Sequence, residues 1–431
     1  MAPQNELFFD ASETVKLVIL TVGSRGDVQP YIALGQGLQQ AGFKVTLATH
    51  AEFETMIRAH GLDFKPLRGN PRELMQSAEG QALVRSGTDL LKFARAMRTA
   101  VGTSFGETCD DCLAACEDAD ALILSFLTAG VGAMIAKARQ LPTILAYLQP
   151  LTPTGAFPVI ALPTLYLGGV LNKTSHRLAS QIFWGAFRPG LEAWARKRLS
   201  LKIPRFGPYA ALERQSLVLY GFSRLLVPRP LDWQPNIHVT GPWQLSESEF
   251  LPAAGLESFL AAGPKPLYIG FGSISGADPE RLTDQILTAL QANQLRGVLL
   301  SGWGGLKPQQ LPKEVLLVDK VPHNWLFPRM AGVVHHAGAG TTHAGLWAGV
   351  PSLGLPFFGD QAFWAQRMFG MGAGPKPILQ TQMSQASLNA AFQALSEQPR
   401  FAQRAAEIAQ RMRSEGGVSE SVALTKRFLK V

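Results

Sequence analysis

Cysteine is nearly absent from this chain: there are three in 431 residues, at positions 109, 112 and 116. An odd and sparse set excludes a disulfide-stapled secreted scaffold and suits a reducing cytoplasm. The spacing C-x2-C-x3-C invites a metal reading. No histidine is near, a fourth ligand is missing, and the same spacing puts the thiols on one side of a helix, so they read as structural. Charge is scarce too, at 17% Asp, Glu, Lys and Arg. No basic block is longer than Arg196-Lys197-Arg198, so no nucleic-acid partner is expected. No run reaches the roughly 18 apolar residues of a membrane-spanning helix. Phe157 to Leu171 comes nearest and is broken by Pro158 and Pro163. It reads as a buried loop, with an interfacial or ligand-lining segment as the alternative. Met1 to Thr14 holds Glu6, Asp10 and Glu13 and lacks the apolar centre of a signal peptide.

What the chain does have is length, glycine and proline. At 431 residues it exceeds one ordinary core, so two domains are expected. The 42 glycines and 29 prolines point to many tight loops. The net charge of +8 fits a scattered basic surface, or attraction to phosphates or an anionic membrane face.

Lys16 to Gly23 is a continuous apolar run ending in glycine, which is how a parallel strand buried on both faces reads. Ser24-Arg25-Gly26-Asp27 follows as a loop, and Pro30 starts a helix, where its missing N–H costs little. Lys44 to His50, Ala121 to Phe126, Pro142 to Leu148 and Ser216 to Tyr220 continue the strands of an open α/β sheet. Residues 65 to 110 and 150 to 215 interrupt the rhythm and are rich in Phe, Leu, Trp and Arg. They read as rim insertions facing a greasy partner, or as plain helix core. The proline-rich stretch Val227 to Pro242 reads as an interdomain connector. Strands then restart at Pro266 to Gly272, Arg296 to Ser301 and Val315 to Val321, each followed by a loop. The tail from Ser384 is helical.

The most informative stretch is Val333 to Gln361: a strand, a small-residue loop, a helix, a second strand and a polar exit. Gly338 and Gly340 strip side chains where a helix begins, and a bare helix N-terminus offers unpaired N–H groups and partial positive charge to an anion. His336, Thr341 and Thr342 add donors suited to phosphate. Adjacent strand residues point to opposite faces, so His336 is chosen over His335, which reads as core. Asp360 and Gln361, a carboxylate beside a carboxamide, suit sugar hydroxyls. A dinucleotide fingerprint is the rival. Gly338-Ala339-Gly340 gives G-x-G and Asp360 has the ribose-acid spacing, but His343 fills the third glycine position.

G-S-R-G-D-V-Q-P at 23–30, V-P-H-N-W-L-F-P-R at 321–329, and H-H-A-G-A-G-T-T followed by P-F-F-G-D-Q resemble the sterol 3-beta-glucosyltransferases. More broadly they resemble the GT-B glycosyltransferases. So do V-L-Y-G-F-S at 218–223, V-P-R-P-L-D-W at 227–233 and S-G-W-G-G-L at 301–306. The resemblance covers roughly residues 16 to 410. It implies an α/β GT-B fold: two Rossmann-like domains whose parallel sheets face each other across a cleft. Residues 1–240 would bind the acceptor, 241–410 would bind the nucleotide sugar, and a helix in 411–431 would pack back on the first domain. It implies inverting transfer of a hexose, glucose from UDP-glucose, to a hydrophobic alcohol such as a sterol. By motif, Asp27 would be the general base, with Ser24, Arg25 and Gly26 in its loop. Ser273, His336, Gly340 and Thr341 would hold the diphosphate, with Gly338 in the same turn. Trp303, Val321 and His323 would frame the uracil, and Asp360 and Gln361 would bind the sugar. Relatives often carry glycine where this chain has Ala337, a methyl that is tolerable if φ is negative.

Independently of the resemblance, Asp27 at a strand end is placed to take a proton, or to cap the following helix or pair with Arg25. No D-x-D or clustered carboxylates are read as able to hold Mg²⁺, so no cofactor or metal is expected. A soluble natural-product glycosyltransferase using UDP- or dTDP-sugars, and a nucleotide binder without sugar transfer, are the alternatives. A cytoplasmic protein is expected, with peripheral membrane contact allowed.

Overall fold

The computed structural model describes residues 14–431 except 88, 103–104, 164, 166, 246–249, 273–277, 303–305 and 307–309. Seven strands form the first sheet: β1 (Lys16–Leu20), β2 (Lys44–His50), β3 (Asp63–Leu67), β4 (Ala121–Leu124), β5 (Thr143–Tyr147), β6 (Leu217–Tyr220) and β7 (Ile237–Val239). Their order is β3-β2-β1-β4-β5-β6-β7. The second sheet holds β8 (Leu267–Gly270), β9 (Gly297–Leu300), β10 (Val315–Val318), β11 (Gly332–His335) and β12 (Ser352–Gly354), in the order β10-β9-β8-β11-β12. All pairings are parallel. Helices cover both faces of such sheets, so the strands are apolar without alternation, and β4, β5, β6 and β8 are buried at every residue. This is the GT-B architecture of two doubly wound α/β units. Strand order reverses between β1 and β4 in one sheet and between β8 and β11 in the other. Ligands bind beyond the carboxyl ends of strands at such switch points.

The helices that matter for the site are α1 (Arg25–Gln40), α2 (Leu90–Val101), α3 (Gly169–Leu199), α4 (Tyr209–Gln215), α5 (Ala339–Ala348), α6 (Gln361–Gly370) and α7 (Gly417–Leu429). The last of these belongs spatially to the first sheet. A Cβ on Gly37 of α1 would lie 2.3 Å from Val418 Cγ1, Leu429 is buried in the core beneath β1, and Trp243 Nε1–H donates to Ser421 Oγ at 2.8 Å.

Four readings of the sequence need correction. Helix α1 starts at Arg25, not Pro30, because Ser24 and Asp27 form a capping box ahead of the proline. Pro30 therefore lies inside the helix, without the N–H that would reach the Gly26 carbonyl. The proline-rich connector contains β7, and its Trp233 stacks on Tyr220 at 4.9 Å. Strand β3 went unread because Pro66 interrupts it, which only an edge position tolerates. Finally, Phe157 and Val159 are buried, but Leu165, Val170 and Leu171 are exposed, so Phe157 to Leu171 is not a buried loop.

Candidate active site

Asp27 sits in the first turn of α1, directly beyond β1. The Ser24 backbone N–H and Ser24 Oγ–H both donate to Asp27 Oδ2, at 2.9 and 3.1 Å. Oδ1 is left without a partner among the described residues. Asp27 therefore caps its helix with one oxygen and keeps the other for the cleft, so capping and proton transfer are compatible. Burial pushes its pKa up to about 6; the two Ser24 bonds oppose the rise and the charge of Asp360 adds to it. Asp27 of the first domain and Asp360 of the second line the same cleft, where their charges act on each other. Gly23 makes the arrangement possible. Its φ is +130°, and a Cβ there would fall 2.5 Å from Asp27 Oδ2. Gly23→Ala is thus expected to displace the carboxylate, lower the unfolding free energy by at least about 1 kcal/mol and abolish turnover. Thermal melts and turnover test this, and a variant with parental activity would remove Gly23 from the argument.

Opposite stands α5, with Gly338 as its N-cap and Gly349, at φ +74°, as its C-cap. The N-termini of α1 and α5 converge: a Cβ on Gly340 would lie 4.0 Å from Gly26 Cα. Two positive helix ends thus face one space. His336 lines the cleft and His335 does not. His335 is fully buried, and its Nδ1 accepts the Ala337 N–H at 3.0 Å. His336 packs over Gly338, where a Cβ would come within 2.5 Å of Nε2, and its buried Nδ1 has no partner among the described residues. A buried ring nitrogen in that state calls for a ligand. Burial pushes the His336 pKa down to about 4, so the ring is neutral at pH 7. Ala337 has φ +61°, which corrects the assumption of negative φ: the methyl sits in the left-handed region. Gly340 and Thr341 also line the cleft.

Asp360 holds the N-cap position of α6 without a capping bond from its side chain, and its Oδ2 accepts the Trp364 indole N–H at 2.8 Å. Its pKa is raised by burial, against the Trp364 bond, a backbone bond and a bond from Gln149 of the first domain. Gln361 Oε1 accepts the N–H groups of Phe357 and Phe358, at 2.8 and 3.2 Å. The backbone thus claims its oxygen, and the amide NH₂ is what it can offer a ligand. Val321 and His323 line the cleft at the end of β10. His323 stacks on Phe327 at 4.3 Å; burial, then Arg25 and His336, push its pKa down to about 3. Ser24, Arg25 and Gly26 line the opposite wall. Ser273 and Trp303 lie outside the described residues.

The cleft has a volume of about 1550 Å³ and takes its walls from both domains. Beyond Asp27 it opens into an aromatic chamber made of Phe93, Phe126, Tyr147, Phe183, Tyr209 and Trp233. Phe126 meets Phe183 edge-on at 5.3 Å, and Phe183 is 5.7 Å from Phe93. The two aromatic-rich insertions supply half of these rings, Phe93, Phe183 and Tyr209, through α2, α3 and α4.

Beyond filling the third glycine position of the rival fingerprint, His343 carries no signal in the sequence. In the structure its Nδ1–H donates to Ala339 O at 2.6 Å and its Nε2 accepts the Ser223 N–H at 3.0 Å. The ring ties the first turn of α5 to the loop after β6 in the other domain. Burial pushes its pKa down to about 4. A folded-state pKa below the unfolded value means the unfolded chain binds the proton first. Stability from this residue is therefore intact above about pH 6.5 and declines toward pH 4. His343→Phe keeps a ring against Trp364 but strands the Ser223 N–H, so a loss of about 1–3 kcal/mol is expected at pH 7.5. The variant should also lose less stability on acidification than the parent. Urea melts at pH 7.5 and 5.0 check both, and parallel pH profiles would refute the strut.

Cys109, Cys112 and Cys116 are buried in the core, and burial pushes the Cys109 thiol up to about 12. Among the described residues no group of three or more His, Cys, Asp or Glu could hold a metal ion. The reading that no D-x-D occurs needs correction: Asp118-Ala119-Asp120 spells one, but Asp120 Oδ2 accepts the Lys16 N–H at the start of β1, at the end of the sheet away from the cleft. No helix of the described residues is long and apolar enough to cross a membrane.

Residues 17–158 match the glycosyltransferase family 28 N-terminal domain. Residues 302–425 match the C-terminal domain of the erythromycin biosynthesis protein CIII-like family. The chain is 35% identical, over 98% of its length, to a sterol 3-beta-glucosyltransferase of Emericella nidulans, and 36% identical over 98% to one of Leptosphaeria maculans. It spans only 30% and 29% of those relatives. Among solved structures it resembles the calicheamicin glycosyltransferase CalG4, with TM-score 0.67 and 16% identity over 97% of this chain and 99% of that one. It also resembles the glycosyltransferase VinC in complex with dTDP, with TM-score 0.65 and 18% identity over 96% and 100%. With both domain families matched in order and two parallel sheets meeting at a cleft, the chain has the GT-B fold and carries a glycosyltransferase family 28 N-terminal domain.

Proposed function

We propose that this protein transfers glucose from UDP-glucose, with inversion, to the hydroxyl of a hydrophobic acceptor such as a sterol. The observation that carries the reading is the position of Asp27. Its uncommitted oxygen lies between an aromatic chamber and two converging helix N-termini, within electrostatic reach of Asp360. An alcohol seated in the chamber would present its hydroxyl to Asp27, which takes the proton late, as the new bond forms. The diphosphate would rest at the N-terminus of α5, where backbone N–H groups, Thr341 and His336 meet the charge growing on the leaving oxygen. Donors held in place before reaction act without reorganisation, so this scheme needs no metal. Asp360 and the Gln361 amide would hold the sugar. Burial raises the Asp360 pKa and the bonds from Trp364 and Gln149 oppose the rise; its carboxyl oxygens would accept hydrogen bonds from sugar hydroxyls. His323 and Val321 would flank the base.

The curated relatives named sterol 3-beta-glucosyltransferase support the acceptor class, and the aromatic chamber agrees with it. The test offers UDP-glucose and dTDP-glucose with sterols and with polyketide aglycones. Products are identified by mass spectrometry and their anomeric configuration by NMR. A β-glucoside of a sterol from UDP-glucose is expected. Products only from soluble aglycones or dTDP-sugars would overturn the substrate assignment, and an α-glucoside would overturn the mechanism.

A further inference from the structure

The outer surface of α3 is wrong for a helix facing water. At helical spacing, Val170, Leu171, Thr174 and Leu178 share one side, which in a water-facing helix is normally charged. Instead Val170 is 81% exposed, Leu178 61% and Leu171 58%. The apolar band continues onto neighbouring loops. Leu231 is fully exposed, and its neighbour Asp232 is tied to the Gly155 N–H at 3.0 Å and to Lys173 Nζ at 3.3 Å, beside the start of α3. At the other end Phe206 is 70% exposed, and the adjacent Gly207 N–H donates to Gln181 of α3. Scattered exposed leucines need no explanation, but a band across three segments does.

Charge indicates what covers it. Residues 121–191 contain no Asp or Glu. Arg177 lies within the band and has no acidic partner among the described residues, and Arg205 lies over the Phe206 ring at 5.9 Å. The inner side of the same helix, with Ala179 and Phe183, lines the aromatic chamber. The chamber wall and the apolar band are thus two sides of one element. We propose that the N-terminal half of α3, with Leu231 and Phe206, lies in the interface of an anionic lipid bilayer, placing the chamber beside the membrane that supplies its acceptor. An apolar ridge flanked by arginines, whose one neighbouring carboxylate named here, Asp232, is paired with Lys173, is the chemistry of an interfacial helix rather than of a protein partner. This placement rests on the lipid-acceptor reading above, but its test does not.

The experiment is co-flotation with acceptor-free vesicles of phosphatidylcholine, with and without phosphatidylserine. The parent chain should float with the serine-containing vesicles, and raising the salt should remove the preference. Combined Val170→Ser, Leu171→Ser and Leu178→Ser should weaken binding at least about tenfold, since three exposed aliphatic side chains lose their apolar contact. None of the three lines the cleft, so the variant should melt like the parent and keep its turnover on sterol presented in cyclodextrin. Its turnover on sterol embedded in anionic vesicles should fall. A parent that does not float, or a variant that floats equally well, overturns the proposal. So does a parent dimer that these substitutions dissociate without any vesicle binding, because the band would then pair two copies of the chain. Failure of the cyclodextrin assay in the parent would instead overturn the acceptor assignment and leave the flotation result standing.

Discussion

Asp27→Asn is expected to lower sugar transfer by about 10²–10⁴-fold, the worth of a positioned base, while UDP binding stays within about twofold. The two effects separate because Asp27 belongs to the first domain and the diphosphate turn to the second. Asparagine keeps an oxygen that can accept the Ser24 N–H, so the helix cap survives. The buried carboxylate has its folded-state pKa raised to about 6 from 3.8. The charged form is thus disfavoured by folding, and the penalty is complete above pH 6 and relieved as the pH falls toward 3.8. At pH 7.5 the variant should melt no lower than the parent. In the parent, kcat/KM should fall tenfold per pH unit below about 6, as the base is protonated. Calorimetry with UDP, thermal melts and a pH profile are the measurements. Parental turnover in the variant would remove Asp27 from the mechanism, and an acid limb far from pH 6 would assign that limb to another group.

His336→Ala should lower kcat by about 10²–10³, the cost of removing one preorganised donor from a site of developing charge. The donor is available because Gly338 leaves room for the ring and because the structure gives its buried Nδ1 no other partner. With its pKa near 4 the ring is neutral across pH 5 to 8, so it donates as imidazole and adds no limb to the profile in that range. The acid limb should therefore persist unchanged in His336→Ala. If the substitution raises KM and leaves kcat intact, the ring binds the ground state and does not assist departure of the diphosphate.

Particular residues show how far sequence alone carried this reading. Buried parallel strands declare themselves as unbroken apolar runs, so β1, β2, β8 and β11 were legible. The edge strands β3 and β7 were not, because an edge tolerates the prolines that elsewhere signal a break. Asp27 was visible as a carboxylate past a strand, but its helix was placed five residues late, since Pro30 is a stronger local signal than a capping box that begins with Ser24. Ala337 could not have been assigned its positive φ, because nothing local demands it; the turn out of β11 and the His335 ring impose it. His343 gave no signal because its partner, Ser223, is 120 residues away.

The order of the chemistry was written in the chain: apolar runs fix the strands, and glycines between a strand and a helix fix where an anion can rest. Those are local properties, set by neighbours a few residues apart. Which carboxylate meets which helix end was decided only when the two sheets came together. Asp27 and Asp360 lie far apart in the chain and acquire a common cleft through packing, as do Gly26 and Gly340, or Ser223 and His343. The pKa of Asp27 belongs to the same class, because it depends on the water that folding removes.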